Sequence, residues 1–220
     1  MCNILIASFK NIEVEVKKFA NKWKSRKSCV LDVCTKAKIK NILSGLAYDM
    51  NQLMMLNDKY NKLLEALHSF GMKMISCGSI KRIRSELQSS AQVWSMLNNF
   101  MEQRDCIGSK NWINFDIKSI DQLCLRWQHE IENLDETQQC SNAIFHVTKE
   151  LKLLRKSTLT LKFCLGESFR EDHWSELLQG KMKLPRNIRF ENLHCYHFLN
   201  NIEILSLPST LDYVRSLHAR

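Results

Sequence analysis

The residues of this chain best suited to chemistry lie at His194-Cys195-Tyr196-His197, where two imidazoles and a thiol crowd together and zinc accepts all three as ligands. A closed zinc site needs four ligands, and no second pair at finger-like spacing follows. The run therefore reads as a partly buried helix end with His194 and His197 on one face, and no metal ligand is assigned. His173 is the next candidate, as a general base. No Ser, Asp or Cys arrangement nearby identifies a nucleophile for it, so it reads as structural. Cys29 and Cys34 flank Val30-Leu31-Asp32-Val33 in a basic neighbourhood, a setting that lowers a thiol pKa; inert core or interface thiols are the commoner fate of free cysteines, and that reading is taken. A phosphate-binding loop needs G-x-x-x-x-G-K-[ST], whose backbone N–H groups wrap the phosphates. Gly180-Lys181 is followed by Met182 and preceded, where the upstream glycine belongs, by Ser175. No catalytic or cofactor-binding residue is assigned, and this chain alone is expected not to hydrolyse ATP.

The nine cysteines are odd in number, show no C-x-x-C and scatter through helical patterns, as reduced cytosolic thiols do. Residues 1–9 are apolar but lack a basic leader, and Lys10 interrupts them too early for a membrane span. A soluble intracellular chain is expected. The formal charge of +9 is concentrated early: residues 1–40 hold ten Lys or Arg against Glu13, Glu15 and Asp32, whereas residues 111–220 hold fourteen of each sign. A basic stripe attracts nucleic acid, anionic membrane or an acidic protein alike. Its bland reading is a solvated helix face, and its candidate contact residues are Lys17, Lys18, Lys22, Lys24, Arg26 and Lys27. The tryptophans at 23, 94, 112, 127 and 174 are suited to stacking on bases, yet they fall at apolar helical positions, which favours core packing.

These residues must be positioned by helices. Six glycines and two prolines are too few for a strand-dense fold, so the class expected is all-α, with elongated helical bundles joined by short loops. Leu5, Phe9, Ile12, Val16, Phe19 and Trp23 alternate three- and four-residue steps, placing all six on one side of a helix that ends in the basic stretch 24–28. A second pattern runs through Leu46, Met50, Leu53, Leu56, Tyr60, Leu63, Leu67 and Phe70, with Gly71 as its C-terminal cap. After a loop at 77–79, Ile80, Ile83, Leu87, Ala91, Trp94, Leu97 and Met101 trace a third, broken at Gly108-Ser109. Asp116 is suited to cap a fourth carrying Ile117, Ile120, Cys124, Trp127, Ile131 and Leu134. Ser141 is suited to cap a fifth, with Ile144, Val147, Leu151, Leu154, Leu161 and Leu165, ended by Gly166. Ser168 is then placed to cap the helix bearing His173 and Trp174. Beyond Gly180 the pattern weakens, and Pro185 and Pro208 prevent a long helix. Heptad-like spacing recurs in interrupted runs, which favours packed bundles over one long coiled coil.

Between about Val93 and Tyr196 the order of marks is distinctive: Trp94 in Val-Trp-Ser-Met-Leu, Trp112 before a short turn, a leucine-rich helix, then Asp172-His173-Trp174-Ser175-Glu176-Leu177 and Leu193-His194-Cys195-Tyr196. This order resembles the linker region of dynein heavy chains, with Trp94, Trp112, His173, Trp174 and Leu177 as the structural signature. Residues 1–92 are similar to the helices before the linker, chiefly through periodicity and Trp23, and 93–220 to the linker itself, short of any ATPase module.

In that family the linker is a bent helical rod lying across a ring of six ATPase modules, whose swing passes force to a cargo-bearing tail. The resemblance implies a non-catalytic mechanical or scaffold segment in microtubule-based movement, cytoplasmic and cytoskeletal, with a cilium or flagellum as one setting. Its partners would be other dynein chains or the rest of the motor, its microtubule association only indirect, with no nucleic acid or membrane partner. The family's acidic, lysine-rich helix after the tyrosine stretch is replaced here by Leu205-Ser206-Leu207-Pro208, which suggests a fragment, a truncated isoform or a divergent product. The alternative is a helical adaptor that binds an acidic partner through its basic N-terminal helices. In either case Trp174 is expected to be buried against the preceding leucine-rich helix, with His173 nearer the bundle edge.

Overall fold

The computed structural model of the protein describes residues 2–27, 35–72, 78–165, 168–188 and 190–219. The fold is all-α; among the described residues the sole β feature is an isolated antiparallel bridge between Asn111 and His194. The chain divides into two compact units, Met1–Asn98 and Asn99–Arg220.

The first unit contains α1 (Cys2–Lys27), α2 (Lys36–Ser69) and most of α3 (Gly78–Gly108). Phe9 meets Tyr60 with ring centroids 5.1 Å apart, and Arg26 pairs with Asp49, so α1 and α2 run antiparallel. Trp23 Nε1 donates to Glu86 Oε2 at 3.1 Å and ties α1 to α3. The core is supplied by Phe9, Ile12, Val16 and Trp23 of α1, Leu46, Leu53, Tyr60 and Leu67 of α2, and Ile80, Ile83 and Leu87 of α3. With Ile39, also fully buried, the α2 residues recur every seven positions over the whole helix, the spacing that keeps one seam facing its neighbours. This run is longer than the interrupted pattern expected. It starts earlier too, because Thr35 caps α2 by accepting the Lys38 N–H at 3.3 Å. Each fully buried Leu or Phe in such a seam contributes about 1.5–3 kcal/mol.

At the far end of α2, Gly71 takes φ +74°, where an L side chain is strained. Its N–H donates to the His68 carbonyl at 2.9 Å while Met72 N–H reaches Leu67 at 3.1 Å, the paired bonds that satisfy a helix's last acceptors. Phe70, expected on the apolar face, is exposed. Gly78 and Ser79, read as loop, open α3 instead.

In the second unit follow α4 (Lys118–Glu132), the short α5 (Glu136–Gln139), α6 (Asn142–Lys162), α7 (Glu171–Ser175) with its continuation as a wider π turn (Glu176–Lys181), a 3₁₀ turn (Phe190–Asn192), α8 (Cys195–Leu199), α9 (Ile202–Leu205) and α10 (Pro208–His218). The centre is α6, against which α4, α9 and α10 pack. Ser141 caps it through the Ile144 N–H as expected, but it ends at Lys162 and leaves Leu165 exposed; Gly166, the expected terminator, lies outside the described residues. Three buried hydroxyls on α6 find acceptors: Ser157 and Thr158 donate to the Leu154 carbonyl, and Thr160 to the Leu205 carbonyl at 2.8 Å.

Two caps differ from the expected ones. Asp116 accepts the Lys118 N–H at 3.0 Å from just outside α4, a local turn that an Asp side chain makes with the backbone two residues on. Ser168 does not cap α7; the backbone carbonyl of Arg170 accepts the Trp174 N–H at 3.1 Å and starts the helix. Pro208 begins α10, where its missing N–H costs nothing.

Candidate functional site

The signature residues of the second unit converge on one aromatic cluster. Trp112 sits in the turn between α3 and α4, whose backbone is fixed from a distant part of the chain: Trp112 N–H donates to the Leu193 carbonyl at 2.8 Å and Cys195 N–H to the Lys110 carbonyl at 2.9 Å. These two bonds form the Asn111–His194 bridge, and they bring α8 over the Trp112 ring. Phe198 then lies 4.4 Å from Trp112, and Trp174 stands 5.9 Å from both. Phe169 at 5.0 Å and Phe190 at 5.2 Å cover Trp174 on its other sides, and Phe115 lies 5.9 Å from Trp112. Most contacts are tilted or edge-to-face, the geometry in which aromatic pairs add about 0.5–1.5 kcal/mol beyond their buried area.

Trp174 is 3% exposed and Leu177 fully buried. The ring neighbours of Trp174 come from the 112, 169, 190 and 198 segments; a seat against the leucine-rich helix was expected. The π turn explains how its helix fills the space. A five-residue step from Leu177 to Met182, closed by the Met182 N–H on the Leu177 carbonyl at 3.0 Å, turns Leu177, Leu178 and Met182 all inward; a regular α-turn would spread the same trio over a wider arc.

His173 corrects the sequence reading. It is 2% exposed, not at the bundle edge, with its ring 5.4 Å from Phe169. Its Nδ1 has no hydrogen-bond partner among the described residues, and its Nε2 lies 3.9 Å from an exposed Asp172 carboxylate. A general base needs a path to substrate; this ring is packed inside.

Trp94 does not join the cluster. It is half-buried on the core of the first unit. His194 and His197 serve the backbone: His197 Nδ1 lies 3.1 Å from the His194 N–H, as the third helical residue reaching back to the helix start. Burial holds the His197 imidazole below its ordinary pKa, His194 pushes it the same way, and the hydrogen bond to the His194 backbone opposes both. Among the described residues no three His, Cys, Asp or Glu side chains are arranged to hold a metal ion.

Of the basic candidates, Lys17, Lys18, Lys22 and Lys24 are exposed on α1. Arg26 is committed to Asp49, which is 3% exposed. The Lys27 side chain and the Cys29–Cys34 pair lie outside the described residues. No helix among the described residues is long and apolar enough to cross a membrane.

Sequence reasoning missed Phe115, Phe169, Phe190 and Phe198, and also Arg104. The Arg104 guanidinium donates to Glu150 Oε1 at 2.6 Å and to the Leu199 carbonyl at 2.8 Å, binding α3 to α6 and to the end of α8. An arginine inside a helical pattern reads as solvent-facing, and nothing in its spacing distinguishes this one.

Residues 80–206, more than half of the chain, match the model of the family described as dynein heavy chain, N-terminal region 2. The chain belongs to this dynein heavy chain family. The matched span holds every ring of the cluster. Cytoplasmic dynein 2 heavy chain 1 of Caenorhabditis elegans is 23% identical over 171 residues, 77% of this chain and 4% of the relative. The proteins of the same name from Mus musculus and Homo sapiens are 23% and 22% identical over 134 residues, 60% of this chain and 3% of each relative. The chain therefore corresponds to a small share of these dynein heavy chains' length, within an N-terminal region rather than the ATPase modules.

Proposed function

We propose that this chain is a non-catalytic mechanical or scaffold segment of a dynein heavy chain-like protein, acting in microtubule-based movement with a cilium or flagellum as its setting. The observation that carries this reading is the family match over 80–206, a span that holds the whole aromatic cluster of the second unit. In this reading residues 93–220 form the linker-like region and 1–92 the helices before it. Trp112, His173, Trp174 and Leu177 hold one bundle together so that displacement at one end is passed on. Its partners are other dynein chains or the rest of the motor, and microtubules are reached only through them.

The test is affinity purification of the tagged chain from ciliated cells. Recovery of dynein subunits, abolished by Trp174→Ala under conditions where the variant stays helical, supports the reading. Direct co-sedimentation of the purified chain with microtubules at physiological salt, or capture of a non-dynein acidic protein that Lys17→Glu/Lys18→Glu/Lys22→Glu abolishes, would establish the adaptor function that the exposed lysines of α1 favour.

A further inference from the structure

The central helix of the second unit is covered on most sides, yet one stripe of it stays open. Phe145, Lys149, Lys152, Lys156 and Leu159 follow one another at four-, three-, four- and three-residue steps, which places them within a single narrow arc of α6. Phe145 is 65% exposed and Leu159 53%, and the three lysines between them are exposed as well. Lys149 approaches Glu203 at 3.6 Å across open solvent. Lys152 and Lys156 make no ion pair with any described residue.

Both features are unfavourable in an isolated chain. Like charges three and four residues apart on a helix repel, and residues 111–220 balance fourteen acidic with fourteen basic groups only when these three lysines are counted, so the stripe is a local basic excess within a region that is neutral as a whole. Large apolar side chains at both ends remain in water although the buried face of α6 is complete without them.

We propose that this stripe is a docking surface for an acidic amphipathic helix of a partner protein, with carboxylates against the three lysines and an apolar residue seated on Phe145 and on Leu159. Charge complementarity selects the sign, and the helical rise sets the anchor separation at about 21 Å. The arrangement fits a protein helix better than other polyanions. A lipid surface takes a contiguous apolar band flanked by lysines, the reverse of this order. A nucleic-acid backbone engages lysines through phosphates and leaves both apolar ends in water. The proposal stands on the stripe itself and goes beyond the heavy-chain assignment.

The test uses the full chain and a fluorescein-labelled helical peptide carrying two leucines fourteen positions apart with three glutamates on the same face between them. Fluorescence anisotropy at physiological salt is expected to show saturable binding. Lys149→Glu/Lys152→Glu/Lys156→Glu should weaken it by about tenfold or more, and Phe145→Ser/Leu159→Ser by about tenfold with an unchanged salt slope. The α1 variant Lys17→Glu/Lys18→Glu/Lys22→Glu should stay within about twofold of wild type. All variants are required to keep the wild-type helical melt, since every altered side chain is exposed. Absence of peptide binding overturns the proposal. So does equal binding of a peptide with its leucines moved to the opposite face, or tighter binding of a DNA duplex or phosphatidylserine vesicles through the same lysines.

Discussion

Trp174 and His173 are neighbours with opposite energetics. The indole has rings on several sides, so Trp174→Ala leaves a cavity that the surrounding Trp112, Phe169, Phe190 and Phe198 can only partly close, and the fold should lose about 3–5 kcal/mol. His173 has a buried Nδ1 with no hydrogen-bond partner among the described residues, and removing an unpaired polar atom while keeping the volume is close to neutral or favourable. Urea melts should therefore show a large fall in midpoint for Trp174→Ala and no fall for His173→Leu. A fall of comparable size in His173→Leu would mean the imidazole has a polar partner. The thiols separate in the same manner. Burial pushes Cys124 up to about 11, Cys195 up to about 12 and Cys164 further still, while Cys106 and Cys140 are exposed. Iodoacetamide at neutral pH should label Cys106 and Cys140 in the native state and spare the other three until unfolding. Because the folded pKa values lie above the ordinary 9.0, the unfolded chain binds fewer protons in alkali. The stability contributed by these protonated thiols is complete below about pH 9 and declines as pH rises toward about 11 and 12.

At the scale of elements, Arg104 is the test of how α3, α6 and α8 are held together. Charged hydrogen bonds of this kind, largely shielded from water, each contribute about 1.5–3 kcal/mol. Arg104→Met keeps the stem and removes both bonds, leaving Glu150 and the Leu199 carbonyl without their donor; a loss of about 2–4 kcal/mol is expected. The cost should shrink when Glu150→Gln is added, a coupling that a double-mutant cycle reads directly. The helices themselves were largely legible: the three/four spacing of Phe9, Ile12, Val16 and Trp23 is a direct image of one buried face, and Ser141 announces α6. Their ends were less so. The start of α2 was hidden because Ile39 stands among Lys36, Lys38 and Lys40, where charge obscures the period. The π turn was hidden because Leu177, Leu178 and Met182 fit an α-helix about as well on paper. The cluster was half legible. Trp112 and Trp174 stood out by type, but Phe169, Phe190 and Phe198 are ordinary apolar residues until the Asn111–His194 bridge folds distant segments onto one another, and no local pattern encodes that bridge.

For the molecule as a whole, the uneven charge separates two kinds of attachment. The basic excess of residues 1–40 is borne largely by exposed lysines of α1, and the Debye length of about 8 Å at physiological salt leaves such contacts heavily screened. Heparin retention should be strong at low salt, fade toward physiological salt, and drop in Lys17→Glu/Lys18→Glu/Lys22→Glu. Binding to the acidic peptide on α6, anchored by Phe145 and Leu159, should survive where heparin retention has gone. Retention that persists at high salt would place apolar contact on α1 as well.

The bonds that close the second unit also determine where tension would travel. Arg104 clasps the Leu199 carbonyl, Lys110 meets Cys195, and Trp112 meets Leu193, nested one inside the next. A pull entering along α3 and leaving beyond α8 meets these clasps in that order, so the backbone from α4 to α7 is not drawn out until the innermost has opened. Stretching single molecules should show one rip in which the stretch of some 80 residues enclosed between Trp112 and Leu193 is freed together, about 260–290 Å of contour length at full extension. Arg104→Met should lower the force at which that rip begins and leave its length unchanged.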